Sequence, residues 1–346
     1  MAVDRVLLAA PRGFCAGVEM AIKALAWMVR VFEPPVYCFH EIVHNQLVVE
    51  RFRRLGVVFV DDVADAPIGA PLMLSAHGSA PEVVAAARAR AGGFMVDAVC
   101  PLVTKVHHEV KVRAGKGYSI VYVGHEGHDE AVGTMAVAPG SIHLVESDAD
   151  VAALPDPGGP VALLAQTTLS HHDWSDVLEA TRRRFPDLWM PTRSDLCFAT
   201  TNRQSALTEI ARTADAIVVI GSANSSNTVA LAKVATAAGC PRVYRVNHAE
   251  ELPDDLTGVV GVTAGASAPE ELVRAVIDRL APEHGVELVS VTDEDEYFPP
   301  PRELRELMHA LDAVVSLTLG GAVPTSSPFV DDRVVAASDV LDALAK

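Results

Sequence analysis

Chemistry in this chain of 346 residues starts with sulfur. Of five cysteines, three stand just ahead of stretches whose apolar residues recur at helical spacing. They are Cys15 in "VLLAAPRGFCAGVEM", Cys100 in "FMVDAVCPLVTKVHHEV" and Cys197 in "SDLCFATTNRQSALTEIA"; the first two also follow apolar runs. A thiol beside a helix N-terminus has its thiolate favoured by the helix dipole, and the thiolate is the form that binds metal. The separations, 85 and 97 residues, each approximate one small α/β unit. Three such sulfurs converging on one centre would leave one coordination position open, the arrangement of a reacting metal site. An all-thiolate set suits iron–sulfur or zinc. Spacing alone leaves that choice open. Cys38, inside "VYCFH", and Cys240, in a turn before "RVYRV", suit packing roles. An odd, scattered set of cysteines excludes a disulfide framework.

A second chemistry lies in the loops. "PRGFCAG", "SAHGSAP", "GHEGHDE", "AQTTLS", "GSANSSN" and "TAGASAPE" are rich in Gly, Ser, Thr, Asn and His and poor in Lys and Arg. Helix capping accounts for the hydroxyls of any one loop. Six together make a shared anion pocket the better reading, because backbone N–H groups, hydroxyls and imidazoles bind phosphate well. Neither a GxxxxGK[ST] P-loop nor a GxGxxG turn occurs, so any phosphate is held by dispersed small loops.

The elements that must position these groups follow an α/β grammar. Strands are predicted at "VLLAA", "VYCFH", "PLMLSAH", "FMVDAV", "YSIVYVG", "VALLAQT", "AIVVIG" and "GVVGVTAG", with helical segments between them. Such alternation means largely parallel sheets, with ligands outside the carboxyl ends of the strands. A formal net charge of −17 argues against nucleic acid as a partner. No apolar run approaches the ~18 residues of a membrane span, and the start is too short for a signal-peptide core, so no membrane and a cytoplasmic location are expected.

Taken in order, "PRGFCAGV", "HEIVHN", "SAHG", "CPLVTKVH", "GTM", "QTTLS", "CFATTNRQ", "NSSN" and "TAGASAP" resemble the LytB-type reductases, the 4-hydroxy-3-methylbut-2-enyl diphosphate reductase family. The resemblance runs from about residue 5 to about residue 305. It implies three small α/β domains with mainly parallel sheets, arranged pseudo-symmetrically around a central [4Fe–4S] cluster held by Cys15, Cys100 and Cys197. The expected divisions are 1–100, 101–196, 197–305 and a C-terminal extension 306–346, with the N-terminal strand free to pack with the third domain. By resemblance, Glu130 is the proton donor. His44, His77, His128, Thr167, Ser225, Ser226, Asn227 and Ser267 contact the diphosphate substrate. The implied reaction is reductive removal of the allylic hydroxyl of (E)-4-hydroxy-3-methylbut-2-enyl diphosphate, giving isopentenyl and dimethylallyl diphosphate. This is the last step of the methylerythritol phosphate route. Without the resemblance, Glu130 reads as a solvated loop carboxylate.

Two other readings compete. "HEIVH" at 40–44 fits the HExxH of zinc hydrolases, which needs both histidines on one face of a helix. Asn45 reads as a cap, with the helical pattern starting near Leu47, which disfavours it. A non-catalytic iron–sulfur sensor would need the cysteines but not the His and hydroxyl loops. The resemblance further implies ferredoxin or flavodoxin as electron donor. "RFRR" at 51–54 and "RRR" at 182–184 are the basic runs available to dock one. In the extension, "GGAVPTSSP" reads as a linker and "ASDVLDALAK" as a short helix capped by Ser338.

Overall fold

The computed structural model describes residues 2–319 and 332–344. Numbered along the chain, the strands are β1 (Val3–Ala10), β2 (Val36–Phe39), β3 (Val57–Val60), β4 (Leu72–Leu74), β5 (Met95–Asp97) and β6 (Ser119–Val123). They continue with β7 (Ile142–Val145), β8 (Val161–Ala165), β9 (Ala216–Ile220), β10 (Val243–Val246), β11 (Gly258–Ala264) and β12 (Val286–Ser290). The helices are α1 (Ala16–Val31), α2 (Gln46–Arg54), α3 (Pro81–Ala91), α4 (Pro101–Gly115), α5 (Asp129–Met135) and α6 (Asp148–Ala153). After them come α7 (His171–Arg184), α8 (Phe198–Ala211), α9 (Ser226–Ala237), α10 (Glu270–Leu280), α11 (Arg302–Leu319) and α12 (Ala337–Leu344).

The chain divides into two compact units, residues 1–15 with 102–295 and residues 16–101 with 296–346. The first holds a five-stranded sheet, β10-β9-β11-β1-β12, and a three-stranded sheet, β7-β6-β8. The second holds a four-stranded sheet, β3-β2-β4-β5. Every pairing in these three sheets is parallel. The α/β expectation with mainly parallel sheets therefore holds.

Burial explains the pattern. β8 (VALLA) and β9 (AIVVI) are buried at every residue, as parallel strands covered on both faces must be. Helices α8 and α9 supply Leu207, Ile210 and Leu231 against Ile217 and Val219 of β9. The four strands that stand apart from the sequence expectation, β3, β7, β10 and β12, all lie at sheet edges. At β12 the edge is covered less, so its sequence need not be uniformly apolar, and Leu288 is 62 % exposed. β1 pairs with β11 and β12, so the first strand belongs to the sheet built from residues beyond 215.

In the second unit, α11 packs on β5 and α12 on α1. Ala337, not Ser338, begins the last helix, and its N–H is capped from outside by the Glu19 carboxylate of α1 at 2.7 Å. Buried Lys23 pairs with Glu19 at 3.6 Å and donates to the Asp332 carbonyl at 3.1 Å, so both Asp332 and the start of α12 are fastened to α1. The "GGAVPTSSP" stretch lies outside the described residues. Among those described, no helix is long and apolar enough to cross a membrane.

Candidate functional site

In the first unit, loops at the carboxyl ends of the strands interlock through their own polar groups. Cys15 follows β1 through a turn in which Gly13 takes a left-handed conformation, φ 65°. The Gly13 and Cys15 N–H groups donate to the Ala264 and Ala266 carbonyls, at 3.3 and 3.2 Å. The Cys15 loop is thereby laid along the loop after β11. Cys197 sits at the N-cap of α8, where its sulfur accepts the Thr200 N–H at 3.2 Å and lies 3.0 Å from the Thr200 hydroxyl. Asn227, on the first turn of α9, donates to that hydroxyl at 3.3 Å and accepts the Ala266 N–H at 3.0 Å. One polar chain, Cys197–Thr200–Asn227–Ala266–Cys15, thus ties the two cysteine loops together.

Burial pushes the Cys197 thiol up to about 12, and neighbouring Cys15 adds to this; the Thr200 hydrogen bonds and Arg203 work against it. Two close sulfurs in such a place become thiolates only when a cation joins them. Arg203 is itself paired with Glu294, 2.9 Å away, so it offsets only part of that cost. The donor chemistry fits a thiolate-held metal. By contrast Cys38, fully buried in β2, has its thiol pushed far up by burial alone. Cys240 packs in the apolar layer against β9.

Glu130 is 3 % exposed on the first turn of α5, a buried group where the bare sequence suggests a solvated one. One carboxylate oxygen accepts the Thr167 N–H at 2.7 Å and the other the Thr167 hydroxyl at 2.9 Å. Burial raises its pKa to about 7, against the lowering effect of both Thr167 bonds and with a further rise from Asp195. The Thr167 carbonyl in turn accepts the Cys197 N–H at 3.0 Å, so the carboxyl and the sulfur are attached to the same residue. His128 caps α5 with Nδ1 accepting the Glu130 N–H at 3.2 Å, which leaves Nε2 as its donor.

Hydroxyls gather beside this pair. Ser225 caps α9, and Ser226 accepts from the Gln166 amide at 3.2 Å and the Thr168 hydroxyl at 2.9 Å. The Gln166 Oε1 accepts the His125 N–H at 2.9 Å, joining the loops after β6, β8 and β9. Ser267 follows Ala266 and is 6 % exposed. Thr228 fixes the spacing of two of these loops: a Cβ on Gly221 or on Gly265 would lie 2.4 or 2.1 Å from its hydroxyl oxygen. Within this unit the structure thus gathers Cys15, Cys197, His128, Glu130, Thr167, Ser225, Ser226 and Asn227. Such an array can bind an anion through neutral donors and deliver a proton beside a metal.

In the second unit, His44 and His77 stack with ring centroids 3.8 Å apart and planes at 13°. The Ala76 N–H donates to the Ile42 carbonyl at 3.3 Å, and the Cys100 N–H donates to the Ala76 carbonyl at 3.0 Å. One backbone ladder therefore orders both histidine loops and the third cysteine. His40–His44 is not helical: His40 has φ 58°, and α2 starts only after Asn45, whose side chain accepts the Val48 N–H. The helix face that an HExxH zinc site requires is missing.

Several supporting residues escape the sequence reading. Arg203 is fully buried and donates to the Gly13 and Phe14 carbonyls. Lys105 binds Asp195 at 3.2 Å, and Asp195 accepts the Ala165 N–H at 3.2 Å, bracing the approach to Cys197. Arg203 stands inside the quoted "CFATTNRQ" block, a cation in a hydroxyl-rich helix start, and that is the signal available for it.

A family model described as "LytB protein" matches residues 6–281. A protein of Rhodopirellula baltica named 4-hydroxy-3-methylbut-2-enyl diphosphate reductase is 48 % identical over 307 residues, 87 % of this chain and 96 % of its own. One of the same name from Phenylobacterium zucineum is 49 % identical over 306 residues, 86 % and 97 % of the two chains. Among solved structures, the E-1-hydroxy-2-methyl-but-2-enyl-4-diphosphate reductase from Plasmodium falciparum superposes with a TM-score of 0.85 at 30 % identity. That match covers 89 % of this chain and 99 % of the other.

Proposed function

The chain belongs to the LytB protein family, and from that premise we propose that it reduces 4-hydroxy-3-methylbut-2-enyl diphosphate to isopentenyl and dimethylallyl diphosphate. The net change consumes two electrons and two protons and releases the allylic hydroxyl as water. Cys15, Cys100 and Cys197 are its metal ligands. A [4Fe–4S] cluster, when bound to them, supplies the electrons and a Lewis-acid position for the hydroxyl.

The protein's own groups do the rest. Ser225, Ser226, Asn227 and Ser267 offer hydroxyl, amide and helix-start N–H donors to the diphosphate, so a strongly acidic chain binds an anion without a lysine in the pocket. His128 keeps Nε2 as a ring N–H donor for the substrate, and His44 with His77 extends the substrate contacts. Glu130, its pKa raised by burial to about 7, is partly protonated near neutral pH and can give that proton to the departing oxygen. The Thr167 hydroxyl, 2.9 Å from its carboxylate, is placed to pass a proton onward. The observation that carries this reading is Thr167 itself, which binds Glu130 through two donors and the Cys197 backbone through its carbonyl. It supports the reading because the proposed proton donor and a proposed metal ligand hang on one residue.

Ferredoxin or flavodoxin is the proposed electron donor. In the two basic runs that could dock it, Arg53 and Arg54 pair with Glu50, Arg51 with Asp342 and Arg183 with Glu179. The test of the function is anaerobic reconstitution with iron and sulfide, followed by the hydroxylated diphosphate and a reduced viologen. Formation of the two isomeric diphosphates supports it. Tight zinc without iron, or an iron–sulfur protein inert to that substrate, overturns it.

A further inference from the structure

Arg203 has no side-chain surface left to spare: it is fully buried, and its guanidinium fork reaches three separate pieces of chain. Nε and one terminal nitrogen donate to the Gly13 carbonyl at 3.2 and 2.8 Å, and that nitrogen also donates to Phe14 at 3.2 Å. The other terminal nitrogen donates to the Ala199 carbonyl at 3.0 Å and to both Glu294 oxygens at 3.0 and 2.9 Å. The Asn202 amide also donates to Glu294, at 3.1 Å. Gly13 and Phe14 immediately precede Cys15, and Ala199 lies two residues after Cys197.

We propose that Arg203 is a positioning residue for the metal-binding thiols: its fork pins the Cys15 loop to the helix that carries Cys197, and Glu294 neutralises its charge. Packing alone would not select this geometry. An apolar side chain of similar volume could fill the space, but it would leave the Gly13 and Phe14 carbonyls without their donors. With the carbonyls held by Arg203 and the Gly13 and Cys15 N–H groups held by Ala264 and Ala266, the loop is gripped from both sides. The Cys15 sulfur is therefore placed before any metal arrives, which lowers the ordering cost of binding it. Lysine carries the same charge on a single point donor and cannot span Gly13, Phe14, Ala199 and Glu294 at once.

This inference rests on the iron–sulfur reading above, and the experiment separates the two. Wild type, Arg203→Lys and Glu294→Gln are reconstituted anaerobically. Iron release to a chelator and the one-electron midpoint potential are then followed without substrate. Arg203→Lys should release iron at least tenfold faster than wild type at unchanged secondary structure. Glu294→Gln keeps an oxygen acceptor for the fork but removes the balancing charge. It should release iron within twofold of wild type while its potential rises by the equivalent of a tenfold shift in the redox ratio, about 59 mV. A folded Arg203→Lys with the wild-type release rate overturns the positioning role. If Arg203→Lys does not fold, an unmoved potential in Glu294→Gln overturns it. Wild-type protein that takes up no iron ends the cluster reading and this one with it.

Discussion

Replacing Glu130 with glutamine tests the proton path and the burial of Glu130 in one variant. The substitution is sterically mild. The amide oxygen can accept the Thr167 N–H, and the amide nitrogen can donate to the Thr167 hydroxyl once that hydroxyl turns round, so both existing contacts keep partners. What is lost is a transferable proton, and positioned proton transfer contributes typically ~10²–10⁴-fold to rate. Turnover should fall by about that factor, with iron content and diphosphate affinity near wild type. Stability should move the other way. Glu130 ionises near 4.5 when unfolded and about 7 when buried. Below both values the two states hold the proton equally and there is no cost. Between them only the folded state is forced to keep it, and above about 7 the full penalty is present. At roughly 1.4 kcal/mol per unit, the wild type carries an order of about 3 kcal/mol of instability at alkaline pH that glutamine removes. The metal-free variant should melt several degrees higher than metal-free wild type at pH 8, the gap closing as pH falls toward 4.5. Near-normal turnover refutes the proton role. A melting difference of the same size at both pH values refutes the burial argument.

Thr167→Val keeps the backbone bond to Glu130 but deletes the hydroxyl that lowers its pKa, so the alkaline limb of the rate profile should move up by about one unit; a profile that stays in place removes that bond from the account. Cys15→Ser, Cys100→Ser and Cys197→Ser should each lose most iron and acid-labile sulfide, whereas Cys38→Ser and Cys240→Ser should keep them; equal loss at all five would break the assignment. Leu341→Ala, at a residue 1 % exposed in α12, should cost roughly 2–5 kcal/mol locally and expose the C-terminal helix to limited proteolysis while iron content stays constant.

Interior strands were legible because a parallel strand covered on both faces is written as an unbroken apolar run, as in "AIVVIG" and "YSIVYVG", and the fully buried edge strand "VALLAQT" reads the same way. The exposed edge strand "VELVS" was not, since half-covered backbone asks for no such run. Local caps read well where donor and acceptor sit three residues apart, as with Asn45 and Val48. The cap at Ala337 did not, because its acceptor, Glu19, is 318 residues away. The same distance problem hides Arg203, whose partners Gly13 and Glu294 lie about 190 and 91 positions off in sequence. Glu130 shows the limit from another side. Residue type and loop position suggest a wet carboxylate, and only the packed structure reveals that its neighbours leave it nearly dry.

The wedge formed by Thr228 bears on how this pocket can change over time. Its hydroxyl finds no hydrogen-bond partner among the described residues, so the side chain serves there by its shape. Valine should substitute for it, whereas any enlargement at Gly265 demands that position 228 shrink in step. Lineages of this enzyme should therefore drift at these two sites as a matched pair, and a hybrid that inherits one from each parent should be misfitted even when both parents work.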